Sequence, residues 1–352
     1  METSGIPVPL SVLDLAPVAS GSSPADALAR SIELAQVAER LGYRRFWVAE
    51  HHNMVGVASS SPPVLLAHIA SRTTAIRVGS GGVMLPNHAS LTIAEQFGML
   101  EALHPGRVDL GLGRAPGTDF PTIRALRRHL PTAASDEFPR QIGELLGFFG
   151  AGFPPDHPYA TITAVPARGY QPALWILGSS DYGAKLAGML GLPFAFAHHF
   201  APENLHVALE RYREHFRPSA SLDAPYAMVT VAALIAPSDE EADWLAGPTR
   251  LNVLRIRTNR RDVLASPEEA AAYRYSPEEE LAVRQWTASH FVGSPSTVRH
   301  ELGRLVKETE ADEIMVSTSA HGFSDRCRSL ELLAGAPPSA AERHPSGRAT
   351  TD

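Results

Sequence analysis

Three ionisable side chains in a row, Glu50, His51 and His52, follow directly on the apolar run Phe46-Trp47-Val48-Ala49. A carboxylate beside two imidazoles suits acid–base chemistry near neutral pH, where an unperturbed imidazole titrates. The same trio also contains metal ligands. Neighbours on an extended chain point to opposite sides, so His51 and His52 would rarely share one ion, whereas Glu50 and His52 could. A second pair, His198-His199, offers either further ligands or supporting side chains. No His-x-x-x-His spacing and no second Cys/His cluster adds to the set, and the expectation is a site without metal.

Other polar groups recur at the ends of apolar runs: Gly79-Ser80-Gly81-Gly82, Gly113-Arg114 and Gly178-Ser179-Ser180. Glycine weakens a strand unless the backbone bends or a flat ligand approaches closely. Gly178-Ser179-Ser180 precedes a helical pattern, where free N–H groups, two hydroxyls and the helix dipole make an anion site. Arg114 would add a guanidinium fork to the same phosphate. A flat ring over glycines with a phosphate at a helix N-terminus suggests flavin mononucleotide. Each piece also has a plain reading: a capped turn, a surface arginine, a bulge. Asp109, alternating with apolar neighbours, reads as a salt-bridge residue of a barrel layer.

Such groups meet only if parallel strands deliver them to one edge. Apolar strand patterns stand near residues 10, 47, 80, 110, 175, 196, 231 and 315, mostly followed by amphipathic helices. Ser23-Pro24-Ala25-Asp26 has the signature of a helix start and Gly42 of its end. Eightfold alternation over this length predicts an α/β fold, a (β/α)8 TIM barrel with insertions at the C-terminal mouth. Residues 1–335 read as a single barrel domain, and 336–352, rich in Pro, Ser and Ala, as a disordered tail. Residues 118–170 read as an insertion over the mouth with two helices and a short strand at 161–165; residues 257–276 read as a polar loop.

Composition narrows the class. A net charge of −7 argues against nucleic acid as the partner. One cysteine, Cys327, excludes an intrachain disulfide and fits a cytoplasmic protein. No signal-peptide pattern and no apolar stretch of membrane-spanning length is expected.

The run from Arg45 to Asp119 resembles the bacterial-luciferase-like flavin monooxygenase family, in its luciferase-α-like branch. The resemblance rests on Phe-Trp-Val-Ala-Glu-His-His, Val-Gly-Ser-Gly-Gly-Val-Met-Leu-Pro, Ala94-Glu95-Gln96-Phe97 and Gly106-Arg107-Val-Asp-Leu-Gly-Leu-Gly-Arg114, and continues through residues 172–193. It implies a barrel that binds reduced FMN supplied by a separate NAD(P)H:flavin reductase and oxygenates a small molecule as a homodimer. By position His51 matches the catalytic base and Arg114 the phosphate-binding arginine. Ser179-Ser180 matches the phosphate loop, and Gly81-Gly82 a pair joined by a cis peptide beneath the flavin. Glu50 would orient an imidazole or the ring edge. Gly113 stands in place of a reactive cysteine and Gly183 in place of a phosphate-binding threonine, which leaves more of the phosphate to backbone N–H groups and Arg114. Two rival readings are an F420-dependent hydride-transfer oxidoreductase and a flavin-binding relative without turnover.

Overall fold

The computed structural model describes residues 6–115, 119–127, 137–150 and 152–335. The expected tail at 336–352 lies outside them. Nine strands form: β1 (Leu10–Asp14), β2 (Arg45–Val48), β3 (Arg77–Met84), β4 (Val108–Gly113), β5 (Ala173–Gly178), β6 (Phe194–Ala197), β7 (Ala227–Ile235), β8 (Phe291–Gly293) and β9 (Glu313–Ser317). Parallel pairing runs from β1 through β6, then β6 to β7, β7 to β9 and β9 back to β1. Eight strands therefore close a TIM barrel and leave no free edge. The ninth, β8, pairs only with the far end of β7, at Ala233–Ile235, and extends the wall beyond the barrel rim.

The helices are placed by local chemistry. Ser23 caps α1 (Pro24–Arg40) in a capping box with Asp26, and Gly42 follows its end at φ +80°. α2 (Pro62–Arg72) and α3 (Ser90–Leu103) turn Leu65, Leu66, Ile69, Ile93 and Phe97 onto the sheet. α4 (Phe120–Leu126) and α5 (Phe138–Phe149) occupy the long β4–β5 connection. α6 (Asp181–Leu190), α7 (Leu205–His215), α11 (Pro295–Thr309) and α12 (Phe323–Ala334) follow β5, β6, β8 and β9. Among the described residues no helix is long and apolar enough to cross a membrane.

Two expectations fail. Residues 161–165 form turns, not a strand. Their backbone bonds are local, Ile162 N–H to the Tyr159 carbonyl and Arg168 N–H to the Ala164 carbonyl, and Pro166 follows a cis peptide and has no N–H to give to a ladder. Residues 257–276 are not simply loop. After α8 (Asp239–Arg257) come α9 (Pro267–Ala272) and α10 (Pro277–Trp286), each opened by a full capping box, Ser266 with Glu269 and Ser276 with Glu279. The repeated Ser-Pro-Glu-Glu is the sequence signal for both starts.

Alternation along the strands divides the interior. Phe46 and Val48 face the helices in the main core, while Trp47 faces the barrel lumen with Leu13, Trp175, Ala195, Met228 and Met315. Trp47 and Trp175 meet edge to face, centroids 5.2 Å apart. Below them the lumen closes with charge: Arg45 bonds Asp109 at 2.9 Å and Glu313 at 3.0 Å, and Arg77 bonds Asp109 at 2.6 Å. The Trp47 indole N–H also donates to Asp109 at 3.0 Å. Asp109 is thus a buried layer residue that satisfies three donor groups, as its alternation suggests.

Candidate active site

A stride of two from Arg45 passes through Trp47 and Ala49 to His51. Arg45 plugs the bottom of the lumen, Trp47 lies in its middle, and Ala49 and His51 line a cavity of about 510 Å³ at the C-terminal mouth. The segment is held extended by the Ser59 hydroxyl, which donates to the Ala49 carbonyl, and by the His51 N–H, which donates to the Ser59 carbonyl at 3.0 Å. Glu50, one step out of phase, turns away from the cavity. Its carboxylate, 1% exposed, bonds His52 Nε2 and His88 Nε2, each at 2.8 Å, and accepts from the Met84 N–H at 3.0 Å. Burial works to raise the Glu50 pKa, but the contacts with His88, His52 and Met84 outweigh it and hold the carboxyl below its ordinary range. The imidazoles that Glu50 orients are therefore His52 and His88, and the hydrogen bonds to His88 and the Met84 N–H fasten the end of β2 to the end of β3.

Gly81 lines the cavity floor. A Cβ there would stand 2.6 Å from Leu13 Cδ1, and one on Gly82 would stand 2.7 Å from the Gly111 carbonyl oxygen. The peptide between them is cis, as the resemblance implies, and the β3–β4 register shifts between Ser80 and Val83. Both glycines keep the backbone low, which leaves room above it for a flat group.

Arg114 and the Gly178-Ser179-Ser180 turn are brought together, beside the cavity rather than in its wall. Arg114, exposed just past β4, stacks on the Tyr182 ring with its guanidinium carbon 4.2 Å from the centroid. Tyr182 lies in the first turn of α6, whose N-cap Ser180 makes no side-chain cap bond, and helix N-termini favour anions. The Asp181 carboxylate in that turn pairs chiefly with Lys185 at 2.7 Å and more weakly with the N–H groups of Tyr182 and of Asp181 itself. Leu177 lines the cavity, and the chain leaves β5 at Gly178 directly after it. Gly183 is buried 3.5 Å (from an added Cβ) beneath the Gly178 Cα, where it lets α6 sit close to β5.

The His198-His199 pair divides. His198 is buried against Phe291. His199 lines the cavity, with Nδ1 3.0 Å from the Thr230 carbonyl. A carbonyl only accepts, so Nδ1 carries the hydrogen and Nε2 is left as an acceptor. Burial, with smaller effects of His290, His198 and His51, pushes His199 down to about 4 against the raising effect of the Thr230 carbonyl.

Sequence reasoning missed His88; it expected the segment near 257–292 to shape the substrate pocket, and Arg257, Trp286 of α10 and His290 before β8 line the cavity roof, but it singled out none of them, nor Arg250 of α8. It also missed a clamp over the mouth. Asp119 accepts from Asn53 Nδ2 at 2.9 Å and Arg261 Nη2 at 2.6 Å, while Arg261 Nη1 donates to the Asn53 carbonyl at 2.7 Å. Only the α9 and α10 capping boxes carried a local signal for the roof. Among the described residues no group of three or more His, Cys, Asp or Glu side chains could hold a metal ion.

Comparison with known proteins gives the family and the fold. The luciferase-like monooxygenase family matches residues 8–313. A luciferase-like monooxygenase of Escherichia coli strain K12 is 46% identical over 325 residues, covering 92% of this chain and 96% of its own. The solved structure of apo-MsnO8 is 39% identical and superposes with a TM-score of 0.85, covering 93% of this chain and 98% of that one. More distant structures share the fold. One is the oxygenating constituent of 3,6-diketocamphane monooxygenase from Pseudomonas putida in complex with FMN, at 20% identity and TM-score 0.68 over 93% of this chain and 97% of that one. Another is an F420-dependent secondary alcohol dehydrogenase, at 15% identity and TM-score 0.68 over 94% and 98%. The chain belongs to the luciferase-like monooxygenase family.

Proposed function

We propose that this chain is a flavin-dependent monooxygenase that takes reduced FMN and dioxygen and oxygenates a small organic substrate. The observation that carries the reading is the convergence on one barrel mouth of a cavity-lining His51, a low floor at Gly81, and the Arg114–α6 anion site alongside. The residues fit the cofactor: a Cβ at Gly81 or Gly82 would disturb the floor, and the uncapped α6 N-terminus and Arg114 suit a phosphate. When bound, reduced FMN supplies the two electrons with which one atom of dioxygen enters the substrate and the other leaves as water.

The chain's own groups bind, orient and handle protons. Arg114 and the N–H groups of residues 179–182 hold the phosphate. Glu50 does not touch the reacting atoms; by tying His52, His88 and the Met84 N–H it fixes His51 relative to Gly81. His51 accepts and returns a proton at its imidazole, a role to which that side-chain type is suited. Neutral His199 offers Nε2 to a donor on the substrate. Leu13, Trp47, Leu177 and Met315 exclude water from the floor.

The reading includes a separate NAD(P)H:flavin reductase as the source of reduced flavin, a cytoplasmic location and a homodimer. Family membership supports the reductase, and Cys327 as the single cysteine supports the location. For the dimer, Leu65, Leu66, Ile69 and Phe97 are spent on the barrel, while Val64, Met99 and Leu103 stay exposed on α2 and α3. Light scattering at micromolar concentration tests it. The function itself is tested by supplying reduced FMN in isotopically labelled dioxygen with a panel of small organic substrates. The expected result is a product heavier by one labelled oxygen atom, lost in His51→Ala while reduced FMN still binds. Turnover at wild-type rate in His51→Ala would remove His51 from the chemistry. A product formed only with reduced F420 and without oxygen would replace the cofactor reading.

A further inference from the structure

The cavity is electrostatically lopsided. The wall around His51, Gly81 and Leu177 holds no arginine, whereas the roof from α8, α10 and β8 holds Arg250, Arg257 and His290. Among the described residues no aspartate or glutamate lines the cavity, in a chain whose net charge is −7. Arg250 Nη2 is 2.5 Å from Oδ1 of Asp243, a carboxylate that lies outside the cavity with its side chain 67% exposed. Arg257 has no such partner among the described residues; its guanidinium carbon lies 5.6 Å from the Trp286 centroid, a contact that orients a planar cation without neutralising it. His290 feels the same field: burial first, then Arg250 and His198, push it down to about 4. The rest of the lining is mainly apolar, Val253, Trp286 and Val292 among it, with the neutral hydroxyls of Thr249 and Thr287 nearby.

An amphipathic anion satisfies both parts. We propose that the roof is a carboxylate-recognition subsite, with Arg257 as the principal contact and Arg250 beside it, so that the substrates are organic acids with an apolar body. The inference rests on reading the cavity as the substrate pocket of the proposed monooxygenase, and the flavin phosphate has its own anion site at Arg114, across the barrel mouth from α8. Arg257 is exposed at the roof, and its guanidinium fork matches a carboxylate with two parallel bonds.

The test compares octanoate with octanamide, equal in length and unequal in charge, by calorimetry on the wild-type protein with and without FMN. Octanoate is expected to bind on the order of tenfold or more tighter, as for a hydrogen bond to a charged group. Arg257→Gln is expected to abolish that preference and leave FMN affinity unchanged, and Arg257→Lys to retain part of it. Arg114→Ala is expected to weaken FMN and leave octanoate unaffected. Equal affinity for the two probes in the wild type would overturn the proposal. So would a loss of FMN affinity in Arg257→Gln as large as the loss for octanoate, because the arginine would then belong to the cofactor. If FMN failed to bind while the octanoate preference and its loss in Arg257→Gln persisted, the cofactor reading would fall and the subsite would stand.

Discussion

Removing Glu50 tests the positioning of the whole site. In Glu50→Ala two half-buried imidazoles and the Met84 N–H lose the one buried acceptor they share. Leaving part-buried donors without their acceptor costs about 1–3 kcal/mol. Glu50→Gln keeps the shape and one acceptor oxygen but not the charge, and should lose roughly half as much. Denaturant unfolding at pH 7 measures both. The pH dependence has a definite sign. The folded carboxyl lies below its ordinary value of 4.5, so its contribution is complete above that value and is lost as pH falls through the lower, folded one. The gap between wild type and Glu50→Ala should therefore close only in that acid range. FMN affinity should fall with stability, since the ends of β2 and β3 are no longer tied. A Glu50→Ala protein within about 1 kcal/mol of wild type at pH 7 would refute the assigned network.

Arg114→Ala should weaken FMN binding by about 1.5–3 kcal/mol, read by quenching of flavin fluorescence; unchanged affinity would take Arg114 out of the cofactor site. Gly82→Ala places a Cβ 2.7 Å from the Gly111 carbonyl and 2.9 Å from Leu177 Cδ2. Backbone on one side cannot yield cheaply, so unfolding stability should drop by about 1–3 kcal/mol and FMN affinity with it. His199 and His290, both pushed down to about 4, resist protonation in the folded chain. The unfolded chain then binds more protons between about pH 6.5 and 4, so stability should fall as pH drops through that window, and less steeply in His199→Asn. Stability that stayed level down to pH 4.5 would contradict the neutral imidazoles.

The barrel was legible because its signals are local and periodic. Phe46-Trp47-Val48-Ala49, the apolar stripes of α1 to α3 and their caps state strand and helix independently of tertiary context. The stride of two from Arg45 to His51 even predicts which side chains share the lumen. What it could not reveal is where Glu50 finds partners, since His88 is 38 residues away and joins only through the β2–β3 pairing. The roof was hidden for the same reason: Arg250, Arg257 and His290 reach the cavity through the packing of α8, α10 and β8, not through sequence spacing. The strand expected at 161–165 failed because β propensity in Thr161-Ile162-Thr163 yielded to local turn bonds and to Pro166.

The most direct measurement is an anaerobic calorimetric titration of the wild-type protein with reduced FMN and, separately, with reduced F420. The proposed function predicts saturable binding of reduced FMN at one site per chain, weakened in Arg114→Ala, and weaker binding of reduced F420. Tight binding of reduced F420 with no saturable binding of reduced FMN would contradict the account.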